Sequence, residues 1–178
     1  NIYCSWIRMV RKTQLSKMKT YGLIGKNISY SFSAQFFKEK FEREKISAVY
    51  KNFDLEEIKE FQVLLNSEKN ISGFNVTIPY KEQIIPFLDN LDPVAREIGA
   101  VNTIKIEPEG KLTGYNTDHF GFIESIKPYL KSWHSKALIL GTGGASKAIA
   151  YGLEKLKIDF KFVSRTPGMG QLNYDDIK

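Results

Sequence analysis

Three polar side chains in one short stretch have the chemistry needed to bind and deprotonate an alcohol. They are Asn75, Thr77 and Lys81, in the segment Gly73-Phe74-Asn75-Val76-Thr77-Ile78-Pro79-Tyr80-Lys81. The β-rich run before Pro79 predicts a strand, because proline fits the start of a helix but cannot continue a central strand. Asn75 and Thr77 then face one side of the strand, and Lys81 falls in the next helix's first turn. A polar strand end with a solvated lysine is the alternative interpretation.

Two serines ahead of the first helix are candidates for binding an anion. Ser31 and Ser33 precede Phe36, Phe37 and Phe41, which follow at helical spacing. Ser33 is therefore the predicted N-cap. Two hydroxyls beside free helix amides would also bind a carboxylate, because a helix start favours an anion. For one of the two serines, capping alone is the simpler interpretation.

A carboxylate opens a later helix. Asn116-Thr117-Asp118 is predicted to cap a helix over residues 119–130. An aspartate at this position is usually only a cap, and a catalytic role needs a partner that spacing along the chain cannot supply. His119 and His134 lack ligand-like spacing, so no metal site is expected. For His119 a packing or surface role is the simpler interpretation.

A glycine turn lies between an apolar strand and a helix. A strand predicted over 136–140, with the apolar run Ala137-Leu138-Ile139-Leu140, leads into Gly141-Thr142-Gly143-Gly144-Ala145-Ser146. A predicted helix over 147–156 and a strand over 160–163 follow. This strand–turn–helix–strand context predicts dinucleotide binding, because glycines let backbone amides approach a pyrophosphate. The candidate residues in the turn are Gly141, Gly143, Gly144, Ala145 and Ser146.

The end of the second strand indicates which dinucleotide is bound. Sites that prefer NAD carry an acidic residue there for the ribose hydroxyls. This chain has Ser164, Arg165 and Thr166 instead. A guanidinium with two hydroxyls suits an added ribose phosphate, so the sequence favours NADP.

The remaining pattern predicts a mixed α/β sheet with an antiparallel edge. The predicted elements are strands over 19–25 and 48–53, a helix over 55–65, a helical turn from Asp92-Pro93 to Ile98 with Asp92 as its N-cap, and a hairpin of 101–107 with 111–115. Asp54 and Glu57 form the predicted capping box of the 55–65 helix.

Composition bounds the class of protein. The chain has 178 residues, of which 42% are hydrophobic and 26% charged, as in soluble globular proteins. It contains no run of about 18 apolar residues, the length that a membrane-spanning helix needs. Its single cysteine, Cys4, cannot form an internal disulfide, which agrees with a reducing cytosol. The net charge of +6 is concentrated in an acid-free start that contains Arg8, Arg11, Lys12 and Lys17. That start is expected to be an extension ahead of Met18, or an organellar presequence, rather than a nucleic-acid surface.

Five motifs in order make the chain resemble shikimate dehydrogenase, of the shikimate/quinate dehydrogenase family, over about residues 21–166. They are Ser31-Phe32-Ser33, the segment from Gly73 to Lys81, Gly99-Ala100-Val101-Asn102-Thr103, Gly114-Tyr115-Asn116-Thr117-Asp118 and the glycine turn. The resemblance implies NADP-dependent reversible reduction of 3-dehydroshikimate to shikimate. This step leads to chorismate and the aromatic amino acids, and a cytoplasmic monomer or homodimer is expected.

The resemblance also implies a division of the chain and roles for its residues. The expected parts are a basic extension (1–18), a mixed α/β substrate domain (19–118), a linking helix (119–134) and the start of a Rossmann-like NADP-binding domain (135–178). The implied roles are carboxylate binding by Ser31 and Ser33, binding of ring hydroxyls by Asn75, Thr77, Asn102 and Asp118, and acid–base catalysis by Lys81 with Asp118.

The chain departs from the family pattern at several points. Tyr30 replaces the histidine that the family usually has before the first serine, and Ala34 replaces the proline that often follows the second. His119 replaces the glycine that commonly follows the aspartate, and its larger side chain would crowd the site. Only about 43 residues follow from Lys136 onward, whereas a dinucleotide domain of this type has two βαβαβ halves, so we expect a shortened chain. The alternatives are a broader shikimate/quinate dehydrogenase that also uses NAD, and a non-catalytic fragment that binds shikimate.

Overall fold

A computed structural model describes residues 18–177 of the chain. The predicted basic extension, with Arg8, Arg11, Lys12 and Lys17, and the single cysteine, Cys4, lie outside the described residues. No helix within 18–177 is both long and apolar enough to cross a membrane.

The first part of the described chain folds into a six-stranded sheet with four short helices. Its elements are β1 (Lys19–Gly25), α1 (Ser33–Arg43), β2 (Ala48–Asp54), α2 (Glu60–Ser67), β3 (Ile71–Val76), α3 (Tyr80–Gln83), β4 (Asn90–Leu91), α4 (Pro93–Ile98), β5 (Thr103–Ile106) and β6 (Leu112–Tyr115). A 3-10 helix, Ile85–Phe87, follows α3.

The sheet has the strand order β2-β1-β3-β5-β6-β4. Only β5 runs against the others, because it is antiparallel to both β3 and β6 while the remaining pairs are parallel. The predicted mixed sheet is therefore confirmed, but the predicted antiparallel edge is wrong, because the outermost strand, β4, is parallel to its neighbour β6. The two-residue strand β4 lies outside β6, where the backbone amide of Asp89 donates to the carbonyl of Leu112 and the Asp89 carboxylate accepts from the Leu112 amide.

This topology brings the loops that carry the candidate site residues to one end of the sheet, the edge formed by the carboxyl ends of its parallel strands. The parallel strands β1, β2, β3 and β6 all end at that edge, and β5 begins there. The serine loop follows β1, the Thr77–Lys81 connection follows β3, Asn102 directly precedes β5, and Asp118 comes three residues after β6. Residues far apart in the chain are thereby brought to one place.

The core of this domain lies between the sheet and α2. Phe61 is fully buried, and its ring meets the rings of Phe74 in β3 and Phe87 edge-on, with centroids 5.5 and 6.2 Å apart. Ile24 and Ile104 complete the strand side of the cluster. Burial of these large apolar side chains provides the main driving force for folding of this domain.

The predicted capping box is wrong. The Asp54 carboxylate accepts from the backbone amides of Asn27 at 2.8 Å and Ile28 at 3.0 Å, so it closes the loop after β1 instead of capping a helix. Glu57 forms an ion pair with Lys59, and α2 begins only at Glu60. The loop amides of Asn27 and Ile28 have no partner in a strand or helix, so they bind the carboxylate instead. The sequence pattern around Asp54 gives no sign of these distant donors.

Tyr80 ties the start of α3 to the core. Its hydroxyl donates to the carbonyl of Leu55 at 2.6 Å, its side chain is 2% exposed, and burial raises its pKa. Replacing Tyr80 with phenylalanine is expected to lower the free energy of unfolding by about 1–3 kcal/mol, because the buried carbonyl loses its donor. Urea unfolding measures this. Tyr129→Phe is the control, because that ring is exposed, and an equal effect of both changes would contradict the prediction.

The second part of the described chain forms a three-stranded parallel sheet. Its elements are α5 (Asp118–Ile126), β7 (Lys136–Leu140), α6 (Gly144–Lys155), β8 (Asp159–Ser164) and β9 (Leu172–Asn173), with 3-10 helices at Lys127–Tyr129 and Tyr174–Ile177. The strand order is β7-β8-β9, and Ile139, Leu153 and Ile158 form its core. This is the predicted start of a Rossmann-like domain, with one strand, β9, that the sequence pattern did not indicate.

The two sheets are joined through α6. This helix packs on α5, α4 and α3, and Ala148 and Tyr151 share a buried cluster with Ile98 and Ala100 of the first domain. The sheets themselves span 19–115 and 136–173, whereas the exact domain boundaries at 118/119 and 134/135 stay a prediction.

Candidate active site

Lys81 and Asp118 form an ion pair at the end of the first sheet where β1, β2, β3 and β6 finish. The Lys81 Nζ donates to Asp118 Oδ2 at 2.6 Å, although the two residues are 37 positions apart in the chain. The side chains are 14% and 29% exposed, so the pair is partly shielded from water but still accessible to a small molecule. The structure therefore brings together an amine and a carboxylate that the sequence could not connect by spacing.

The start of α5 leaves the Asp118 carboxylate free for this pairing. Asn116 Oδ1 accepts from the Asp118 amide at 3.0 Å, and Asn116 Nδ2 donates to the carbonyl of Ala100 at 2.9 Å. The helix begins at Asp118 and ends at Ile126, not over 119–130 as predicted. Of the predicted capping trio, it is Asn116, not Asp118, whose side chain bonds a backbone amide at the helix start.

Asn102 holds the second oxygen of that carboxylate. Its Nδ2 donates to Asp118 Oδ1 at 2.7 Å and to Thr117 Oγ1 at 2.9 Å, and its Oδ1 accepts from the Thr117 amide at 2.9 Å. Asn102 is 9% exposed. With both oxygens of Asp118 accepting hydrogen bonds, the carboxylate is held in a fixed orientation.

Asn75 and Thr77 lie at the end of β3, as predicted. Asn75 Oδ1 accepts from the Tyr50 hydroxyl at 2.8 Å, and Asn75 Nδ2 donates to Thr103 Oγ1 at 3.4 Å. Thr77 is fixed through its backbone, because its amide donates to Ile24 and its carbonyl accepts from Tyr80. The Thr77 hydroxyl has no hydrogen-bond partner among residues 18–177, so it is available to a ligand.

The two serines lie in the loop after β1, on the same edge. Ser31 Oγ accepts from the amide of Ser33 at 3.2 Å, and α1 begins at Ser33 with no side-chain cap. The predicted N-cap at Ser33 is wrong, because Ser33 already lies inside the helix and the Phe36 amide, which a Ser33 cap would bind, donates to the Phe32 carbonyl at 3.1 Å. Neither hydroxyl is hydrogen bonded to Asn75, Thr77 or Lys81, and the amide of Lys26 links this loop to the Ile78 carbonyl at 3.1 Å.

The glycine turn sits directly against Lys81. Gly141 has φ +109°, which disfavours any residue with a side chain, and its amide donates to the Val163 carbonyl at 2.8 Å. The helix α6 begins at Gly144, three residues before the predicted start. A Cβ on Gly144 would lie only 2.8 Å from the Cβ of Lys81 and 3.2 Å from that of Ala100. Gly144 therefore serves close packing between the two domains, besides any contact with a ligand.

Glu82 and Lys147 form an ion pair across the same contact. The Lys147 Nζ lies 2.6 Å from Glu82 Oε2, and both side chains are 39% exposed. Because solvent screens such a pair, a double-mutant cycle with Glu82→Gln and Lys147→Met is expected to give a coupling energy of about 0.2–1 kcal/mol in thermal or urea unfolding. A coupling above about 2 kcal/mol would contradict this, and the exposed pair Glu124–Lys127 provides the comparison cycle.

The segment after β8 lies beside the glycine turn. Ser164 Oγ accepts from the Thr166 amide at 3.2 Å and donates to its carbonyl at 3.1 Å, which closes a small loop. Arg165 lies exposed in this loop and makes no ion pair with any residue of 18–177. Because β7 and β8 are parallel neighbours, Arg165 follows the same end of the sheet as the glycine turn and the start of α6, where an anionic ligand is favoured.

His119 packs away from the ion pair. Its ring meets the Tyr151 ring of α6 edge-on at 5.3 Å, and its Nδ1 is buried without a partner among the described residues. No group of three or more His, Cys, Asp or Glu within 18–177 is arranged to hold a metal ion.

Sequence reasoning missed Tyr50, Thr103 and Thr117 as members of the site. Thr103 is adjacent to Asn102 and Thr117 is adjacent to Asp118. Their positions next to predicted site residues would have been enough to identify them. Tyr50 lies in β2 and reaches across β1 to Asn75, which follows only from the strand order and register.

Known proteins resemble this chain over most of its length. Residues 23–104 match the shikimate dehydrogenase substrate binding domain. A Clostridium botulinum protein named shikimate dehydrogenase (NADP(+)) is 44% identical over 161 residues, which cover 89% of this chain and 62% of that protein. The chain thus spans less than two thirds of that relative's length.

Two solved structures share the fold. Shikimate dehydrogenase 1 from Peptoclostridium difficile is 39% identical with a TM-score of 0.80, covering 90% of this chain and 62% of that one. The Thermus thermophilus shikimate 5-dehydrogenase, solved in complex with NADP(H) and shikimate, is 31% identical with a TM-score of 0.74, covering 84% and 57%.

Proposed function

We propose that this chain, whose residues 23–104 match the shikimate dehydrogenase substrate binding domain, supplies the substrate site and acid–base pair for the NADP-dependent, reversible reduction of 3-dehydroshikimate to shikimate. The observation that carries the proposal is the 2.6 Å contact between Lys81 Nζ and Asp118 Oδ2, with Asn102 on the other carboxylate oxygen. An amine and an oriented carboxylate at one accessible point are what proton transfer at an alcohol requires.

Lys81 is the proposed acid–base residue. In the oxidising direction its neutral amine takes the proton of the ring hydroxyl, and in the reducing direction its ammonium returns that proton to the oxygen. Asp118 accepts from the amine and orients both the amine and the substrate hydroxyl. When bound, the nicotinamide supplies the hydride chemistry, and the protein provides orientation.

The substrate is proposed to lie along the edge that carries the pair. Asn75, Thr77, Asn102 and Asp118 would bind the ring hydroxyls, and Ser31 and Ser33 the carboxylate. The free hydroxyl of Thr77 and the partly buried serine loop support this arrangement. The serine loop also lies just before α1, whose amide end favours an anion.

The proposed cofactor is NADP. The residues present fit it: Gly141, Gly143, Gly144, Ala145 and Ser146 bring backbone amides to the start of α6, where Gly143 has open space around its Cα. Ser164, Arg165 and Thr166 would bind the ribose phosphate, since Arg165 has no ion-pair partner within 18–177. We propose the cytoplasm as the location and a monomer or homodimer as the state. The expected partners are small molecules, not nucleic acid or membrane.

Two measurements on this chain test the proposal. Calorimetry is expected to show shikimate binding, and absorbance at the reduced nicotinamide band is expected to show NADP-dependent turnover. Comparing NADP with NAD and shikimate with quinate separates the narrow reading from a broader shikimate/quinate dehydrogenase. Shikimate binding without turnover would indicate a chain that holds substrate only, and no binding of shikimate would overturn the proposal.

A further inference from the structure

A row of hydrogen bonds runs across three strands from Tyr50 to Asp118. The Tyr50 hydroxyl contacts Asn75 Oδ1 at 2.8 Å, and Asn75 Nδ2 contacts Thr103 Oγ1 at 3.4 Å. Thr103 Oγ1 contacts Asn102 Oδ1 at 3.0 Å, and Asn102 Nδ2 contacts Asp118 Oδ1 at 2.7 Å. The row therefore joins a tyrosine outside every motif to the proposed catalytic carboxylate.

The direction of this row is fixed from one end. The Thr117 backbone amide can only donate, and it donates to Asn102 Oδ1 at 2.9 Å, which sets that side chain's oxygen. The Thr103 hydroxyl must then donate to the same oxygen, so its own oxygen accepts from Asn75 Nδ2. This leaves Asn75 Oδ1 facing Tyr50, whose hydroxyl must donate.

Tyr50 is built to keep that role. Its ring stacks on Phe37 with centroids 4.4 Å apart and planes 10° apart, which holds the hydroxyl in place. Burial raises the pKa of Tyr50, so the hydroxyl keeps its proton and remains a donor. Asn75 is partly exposed at the end of β3, so a ligand can reach its amide. Asn75, Thr103 and Tyr50 also border an apolar cavity of about 430 Å³, which Lys81 and Asp118 do not line.

We propose that Tyr50 is a positioning residue that makes Asn75 a hydrogen-bond donor toward the substrate. Tyr50 and Thr103 fix the orientation of the Asn75 amide, and the second N–H of its Nδ2 has no acceptor among residues 18–177, so this donor is left for a ligand. Asn75 thus selects a ligand oxygen that accepts. The proposal rests on the proposed function, because it assigns that oxygen to the substrate ring.

The test compares Tyr50→Phe with Tyr21→Phe. Both changes remove only a hydroxyl, and Tyr21 is paired directly with Tyr50 in the sheet and lines the same cavity, but its hydroxyl has no partner among the described residues. In Tyr50→Phe, Asn75 keeps only its longer bond to Thr103. The side-chain amide signals of Asn75, followed by ¹⁵N NMR and assigned from an Asn75→Ala spectrum, are expected to shift in Tyr50→Phe and not in Tyr21→Phe.

The ligand arm measures the consequence. In Tyr50→Phe the Kd or KM for shikimate is expected to rise about three- to tenfold, with kcat within about twofold, as for loss of one oriented hydrogen bond. Unchanged Asn75 signals, or unchanged shikimate affinity beside a wild type that binds, would overturn the proposal. Shifted Asn75 signals in a chain that does not bind shikimate would support the positioning by Tyr50 and overturn the proposed function instead.

Discussion

Replacing Lys81 with alanine is expected to lower turnover by about 10²–10⁴-fold while shikimate affinity changes little, because general acid–base catalysis is usually worth that much. Lys81 contributes the only side-chain amine that contacts Asp118 within residues 18–177. Alanine retains the Cβ against which Gly144 packs, so the contact between the domains is kept. Steady-state rates and calorimetric binding measure the two effects separately.

The control for this prediction is Lys111→Ala, since Lys111 is exposed and lies in the hairpin loop. That change is expected to leave turnover within about twofold, as is usual for an isolated surface substitution. Turnover of Lys81→Ala within tenfold of the wild type would show that another group moves the proton.

Asp118→Asn is expected to lower turnover by about 10²-fold or more and to weaken shikimate binding as well. Both carboxylate oxygens accept from donors, Lys81 Nζ at 2.6 Å and Asn102 Nδ2 at 2.7 Å. An amide offers one acceptor oxygen, so its NH₂ group must face one of these donors and the lysine loses its charged partner. The amine and the substrate hydroxyl are then no longer aligned, which general acid–base catalysis requires.

Glu124→Gln provides the matched control for this change. Glu124 lies on the same helix, and its side chain is 50% exposed. Among residues 18–177 its carboxylate pairs only with Lys127, at 3.2 Å. Its loss is expected to leave both turnover and binding unchanged. An Asp118→Asn protein with near-normal kcat would show that the carboxylate holds the helix start and does not assist the chemistry.

Much of the fold was readable from local pattern. The strands β1 and β7 have the predicted bounds, because each is a short apolar or alternating run that ends at a glycine. The hairpin was likewise marked by its turn, where the Gly110 amide donates to Glu107. The N-cap at Asp92 is confirmed by its bond to the Val94 amide at 3.0 Å. Local signals succeed where the deciding hydrogen bonds are local.

The predictions that were wrong, and the residues that were missed, depend mostly on contacts between parts of the chain that are distant in sequence. Asp54 was misread as a cap because its partners, Asn27 and Ile28, lie 27 and 26 positions earlier. The edge strand β4 was missed because two residues carry no periodicity. Tyr50 was missed because a contact two strands away depends on the sheet order. The residues of the pair were identified from motifs, but their contact required the fold to bring α3 and α5 together.

The most direct test of the proposed mechanism is a crystal structure of this chain with shikimate bound. We expect one ring hydroxyl within about 3.2 Å of both Lys81 Nζ and a carboxylate oxygen of Asp118, the reach needed for proton transfer. We also expect Asn75 Nδ2 to donate to a second ring oxygen. A ligand whose hydroxyls all lie beyond about 6 Å from the amine, too far even for one bridging water, would contradict the mechanism.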